Sequence, residues 1–157
     1  MTKKGQNMRG LIGKVVKINR GGPESFEGKL VSVCSDYMVV CSKEGLVYVK
    51  ESHVKSVTEA GHSHGAKCPK QKRIHFKDFH GIIKALRLQH VQINQGGPKK
   101  LEGVLVSVNH NRLIIVLKNN EIVHIFLHHI KTISLHVHGH NNENHKNKDN
   151  QYRGNKK

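Results

Sequence analysis

The chain repeats itself, and no other property narrows its possible folds as much. Val16-Lys17-Ile18-Asn19-Arg20-Gly21-Gly22-Pro23, followed by Glu27-Gly28-Lys29-Leu30-Val31-Ser32-Val33, returns 75 residues later as Val91-Gln92-Ile93-Asn94-Gln95-Gly96-Gly97-Pro98 and Glu102-Gly103-Val104-Leu105-Val106-Ser107-Val108. His53-Val54-Lys55-Ser56-Val57 returns as His129-Ile130-Lys131-Thr132-Ile133 at an offset of 76, so one residue is inserted between the third and fourth apolar runs. Two copies of one module are implied, each of about fifty residues. Units of that size are marginal alone, so the copies are expected to bury apolar surface against each other or against a neighbouring subunit.

Within a copy, Val- and Ile-rich runs of about five residues are separated by turn residues, which is a strand signature. Strands are expected near 14–19, 27–34, 37–42, 46–50 and 53–58, and again near 89–94, 102–109, 112–118, 121–127 and 129–134. Five short strands per copy suggest a small twisted barrel. Gly28 and Gly103 fall inside the second strand, where a missing side chain permits a sharp bend or a close backbone approach. The Asn-x-Gly-Gly-Pro segment reads as a tight turn in which two glycines take positive φ. A phosphate-cradling loop would instead lead from a strand into a helix and carry Lys-Ser or Lys-Thr after the glycines.

Before the second copy, Phe76, Phe79, Ile82, Ile83 and Leu86 recur at helical spacing, with Asp78 in the first turn where its charge suits the helix dipole. This amphipathic helix is expected to cap a barrel opening, with docking into a partner's groove as the sharper alternative. The first copy has a shorter counterpart around Met8, Leu11 and Ile12.

The net charge of +16 invites a nucleic-acid reading, so its distribution matters. The excess of Lys and Arg over Asp and Glu is +4 in residues 1–60, +4 in 61–80, +5 in 81–135 and +3 in 136–157. Such dispersal argues for a general cationic surface suited to acidic protein partners, and against a phosphate-tracking patch. Residues 1–17 hold no unbroken apolar stretch of signal-peptide type, and nowhere do about 18 apolar residues run together. Neither export by a signal peptide nor membrane insertion is expected.

The paired Asn-Arg-Gly-Gly-Pro-Glu-Ser and Asn-Gln-Gly-Gly-Pro blocks, the Asp78-Phe79-His80 helix start and the endings His53 to Val57 and His129 to Ser134 resemble the repeats of the Bacillus spore coat protein B family. The resemblance covers roughly residues 8–135. It implies a structural component of the outer spore coat, made in the mother-cell cytoplasm and held in place by other coat proteins. The third repeat and the long Ser-, Lys- and Arg-rich tail of the longest family members have no counterpart here, so functions of that tail are not carried over. A weaker similarity links Gly28-x-Leu30 and Asp36-Tyr37-Met38-Val39-Val40 to Sm-like RNA-binding barrels. It informs fold more than function, because Tyr37 corresponds to Arg112 and Tyr48 to His124, which leaves base stacking poorly provided for.

Fourteen histidines raise metal binding as an alternative. His136, His138 and His140 would share one face of a strand, and His62, His64 and Cys68 lie together between the copies. Both groups sit in polar, Gly- or Asn-rich segments whose side chains are expected to be solvated, with no Cys-x-x-Cys to anchor a site. No metal site, cofactor or small-molecule substrate is therefore assigned. Cys34, Cys41 and Cys68 do not make a disulfide framework. Cys34 should face Tyr37 across a hairpin turn, Cys41 reads as core, and Cys68 reads as an inert thiol with intermolecular cross-linking as the alternative. The eleven carboxylates are scattered and no nucleophile elbow is present, so no catalytic residue is assigned and the chain is not read as an enzyme.

The expected architecture is mainly β: two tandem small Sm-like or SH3-like β-barrels over 8–58 and 76–135, the second preceded by the helix. A polar linker spans 59–75 and a disordered His-, Asn- and Lys-rich tail spans 136–157. The expected partners are other spore coat proteins or further copies of the chain.

Overall fold

The computed structural model describes residues 7–43, 45–60, 72–94 and 100–136. The linker histidines, the second Gly-Gly-Pro and all but the first residue of the tail lie outside them. The first unit contains β1 (Val15–Ile18), β2 (Phe26–Val33), β3 (Tyr37–Ser42), β4 (Gly45–Lys50) and β5 (Val57–Glu59). Helix α1 (Phe79–Ala85) then leads into β6 (His90–Ile93), β7 (Leu101–Val108), β8 (Arg112–Leu117), β9 (Ile122–Phe126) and β10 (Thr132–Leu135). Short 3-10 helices lie at Arg9–Leu11, Glu51–His53 and Leu127–His129.

The two fifth strands begin later than the apolar pattern suggests. Asn19 and Asn94 account for the difference. Each sits at positive φ, 53° and 56°, just past the first strand of its unit. The Asn19 side-chain oxygen accepts from the backbone N–H of Lys55 at 2.7 Å and of Ser56, while its amide donates to the His53 carbonyl. Asn94 treats Lys131 and His129 in the same way. These bonds draw the chain ahead of each fifth strand away from the ladder, so the sheet resumes at Val57 and Thr132. In the first turn only Gly21 of the glycine pair takes positive φ, at 84°; the asparagine provides the other left-handed position.

Gly28 and Gly103 perform the same task in both units. A Cβ on Gly28 would lie 2.5 Å from the carbonyl oxygen of Cys41, and one on Gly103 would press at least as hard on that of Val116. The second strand can cross its neighbour this closely only without a side chain. Shortly beyond, the register shifts between Leu30 and Ser32 and between Leu105 and Ser107, bending each long strand at a bulge.

All ten strands join one antiparallel sheet in the order β5-β1-β2-β3-β4-β10-β6-β7-β8-β9. The expectation of two separate barrels is corrected here: each unit keeps the order fifth, first, second, third, fourth strand, but the sheet does not close. The edge of β4 that would close the first unit is taken by β10, with Thr132, Ser134 and Ile133 opposite Val49, Val47 and Tyr48.

Packing explains the preference. Val16, Ile18, Leu30, Val33, Met38, Val40, Val47, Val49 and Val54 form a core inside the first unit. The alternate residues of β3 and β4, Tyr37, Val39, Cys41, Leu46 and Tyr48, point the other way and join a larger core with α1 and the interior of the second unit. Both faces of these strands are buried, so separating the units would return several large apolar side chains to water at about 1.5–3 kcal/mol each.

Candidate assembly interface

The junction between units shows how this sheet forms an interface. Tyr37 and Tyr48 stand on its buried face at tilted rings 6.5 Å apart. The Tyr37 hydroxyl donates to the Phe76 carbonyl at 2.8 Å and accepts from the Phe76 N–H, and the Tyr48 hydroxyl accepts from the Ile74 N–H at 2.9 Å. Burial is the main reason the Tyr37 phenol is pushed up to about 12, and burial likewise raises that of Tyr48. Neither ring offers a face to a nucleic-acid base. Both tyrosines instead fasten the irregular segment that feeds α1.

The start of α1 is held from two sides. Asp78 is its N-cap, accepting from Gly81 N–H at 2.8 Å, and Asp36 of the first unit accepts from Phe79 N–H at 2.8 Å. Phe79, Ile82, Ile83 and Leu86 are buried, while Phe76 lies ahead of the helix and is partly exposed. The helix does not simply cap one barrel mouth, as the sequence suggests, but bridges the two units. Elsewhere along the seam the Lys50 N–H donates to the Lys131 carbonyl at 2.9 Å, and Lys131 pairs with Glu24. His53 Nε2 meets the His128 carbonyl oxygen at 3.2 Å, and burial holds the His53 imidazole below its usual value.

The second unit repeats this face without its cover. Positions 75 residues beyond Tyr37, Val39 and Cys41 are Arg112, Ile114 and Val116, and positions 76 beyond Leu46, Tyr48 and Lys50 are Ile122, His124 and Phe126. The strand registers agree: Tyr37 opposes Lys50 and Arg112 opposes Phe126, while Val40 opposes Val47 and Ile115 opposes Val123. Leu46 is 5% exposed, yet Ile122 is 65% and Phe126 is 48% exposed. β9 also ends the sheet, as β5 does at the other end, so among the described residues each pairs on one side only. Among the described residues two open edges and one uncovered apolar face therefore lie at known positions, and an open edge carries unpaired N–H and C=O groups that another strand can match.

Other residues singled out from the sequence contribute differently. Of the two histidine groupings, only His136 is described; its ring lies 4.7 Å from that of His90 and its Nδ1 is 3.9 Å from a Glu102 oxygen. Among the described residues no group of three or more His, Cys, Asp or Glu is arranged to hold a metal ion. Cys34 is a free thiol whose N–H donates to the Tyr37 carbonyl, as the hairpin implies. Cys41 is buried, as a core position should be, and is disulfide-bonded, which the reading of the cysteines does not anticipate. The Asn19 and Asn94 side-chain clamps are also missed from sequence, although their occurrence at equivalent places in both copies is visible there. No described helix is long and apolar enough to cross a membrane.

The fold is mainly β: two five-strand units joined edge to edge in one antiparallel sheet, with one unpaired strand edge at each end among the described residues. No family model matches the chain. It is 37% identical over 123 residues, 78% of its length, to Spore coat protein B of Bacillus subtilis (strain 168). The chain belongs to the spore coat protein B family. It spans 32% of the length of that relative.

Proposed function

We propose that the chain is a structural, non-catalytic component of the spore coat that acts by assembling with other proteins of that layer. The observation that carries this reading is the bare outer face of β8 and β9, where Ile122 is exposed at the position that the first unit buries as Leu46, and Phe126 is exposed beside it on the same strand face. Exposed apolar residues along a free strand edge mark a docking surface rather than a solvated one. Family membership supplies the setting, the spore coat, and partners from among coat proteins. Residues 8–58 and 76–135 act as two modules, with 59–75 between them and 136–157 following. The dispersed positive charge favours acidic partners and raises their rate of encounter.

The test is fluorescence microscopy of a tagged copy through sporulation, beside a variant carrying Ile122→Asp and Phe126→Asp. A ring around the forespore that fades to diffuse signal in the variant is the expected result. Diffuse or nucleoid signal from the unaltered protein would overturn the proposal.

A further inference from the structure

The junction inside the chain is a template for a junction between chains. β10 occupies the edge of β4, and the repeat makes β9 the equivalent of β4 and β5 the equivalent of β10. A chain therefore carries at one end the strand type that accepts, and at the other the strand type that is accepted.

We infer that copies of this chain join head to tail, β9 of one pairing antiparallel with β5 of the next. This rests on the assembly reading above and names the partner as a second copy. The register follows from the internal junction. Thr132, Ile133 and Ser134 oppose Val49, Tyr48 and Val47, so Ser56, Val57 and Thr58 of one chain oppose Ile125, His124 and Val123 of another.

The backbone groups needed for that ladder are in place. At the internal seam Lys50 N–H bonds the Lys131 carbonyl, so two residues along the alternating ladder Tyr48 and Ile133 form the next hydrogen-bonded pair. Their equivalents are His124 and Val57. Leu127 N–H donates to the Asn111 carbonyl and Leu117 N–H to the Glu121 carbonyl, so Val123 and Ile125 make the inward bonds to β8. His124 points its N–H outward. On β5, Asn19 N–H donates to the Ser56 carbonyl and Ala60 N–H to the Val15 carbonyl, which makes Thr58 the inward residue and leaves Val57 outward.

Two features of the internal seam have no equivalent between chains. Lys131 pairs with Glu24, but the corresponding residues are Lys55 and Lys99, and Phe79 and Ile82 of α1 correspond to Lys4 and Asn7. The joint between chains is accordingly weaker than the one within, and added salt, which screens the repulsion between chains of net charge +16, strengthens it. Because the contact is heterologous it propagates, giving rings if the rotation closes and filaments if it does not.

The test is sedimentation velocity on the full chain, alone and as two edge variants. Proline is tolerated where an edge strand's N–H faces outward, so His124→Pro removes only the β9 donor and Val57→Pro only the β5 donor, with circular dichroism melts to verify folding. The unaltered chain is expected to form oligomers beyond the dimer as concentration and salt rise, and each variant to lose roughly tenfold or more in association. An equimolar mixture of the two variants, each retaining one live edge, should form a one-to-one complex that stops there. A chain that stays monomeric at all concentrations overturns the inference, as does a dimer lost in one variant and untouched in the other, which signals a symmetric edge. Either failure leaves localisation to the forespore ring unaffected, so it is distinguishable from failure of the coat reading.

Discussion

Asn19 shows how much one side chain organises. Its three hydrogen bonds fix the approach to β5, and its φ of 53° places it where most residues are strained. Asn19→Ala should lower stability by about 1–3 kcal/mol in a urea titration, and Asn19→Gly by less, since glycine keeps the backbone and loses only the bonds. Tyr37 gives a pH-dependent counterpart. Its phenol titrates near 12 folded against 10.0 unfolded, so the neutral form is favoured by the fold. That contribution is complete below pH 10 and disappears as pH rises through 12. Tyr37→Phe should cost about 1 kcal/mol at neutral pH and flatten the alkaline loss of thermal stability between pH 10 and 12. The role of Gly28 was legible in the sequence, because a glycine within a strand run signals a close approach. The role of Asn19 was not, since its partners lie some 35 positions away and side-chain hydrogen bonds leave no periodicity.

Helix α1 was legible as an amphipathic element, from the spacing of Phe79, Ile82, Ile83 and Leu86 and from Asp78 ahead of it. Its place between the units was not. Helical periodicity reports that a face is buried and says nothing about what buries it; the information lay in β3 and β4, whose residues are apolar on both faces. The same limit applies to the interface. β4 and β9 read alike in the sequence, and only the position of β10 separates the covered strand from the open one. Ile82→Ala should destabilise the protein by about 2–5 kcal/mol, and Asp78→Ala by about 1 kcal/mol, in denaturant titrations. Because α1 touches both units, Ile82→Ala should lower the protection of amides in β4 as well as in β10, as hydrogen exchange would register.

For the molecule as a whole, a single sheet predicts a single transition. Two independent barrels would melt separately. Here the larger core includes Tyr37 and Leu46 of the first unit with Ile115 and Ile133 of the second, so fluorescence and circular dichroism should report coincident unfolding curves. Amide exchange should be fastest in β5 and β9, each paired on one side, and slowest in β4, β10 and β6 at the centre. The central place of β10 also bears on how the protein is made. Among the described strands it is the last to leave the ribosome, yet it fills the gap between β4 and β6. Until residue 135 has emerged, β4 has no neighbour on that side, and a nascent chain stalled within β9 exposes two raw edges at the middle of the future sheet. Emergence of β10 is thus the event that knits the halves together, and premature termination ahead of Thr132 would release a product with more sticking surface than the full-length chain.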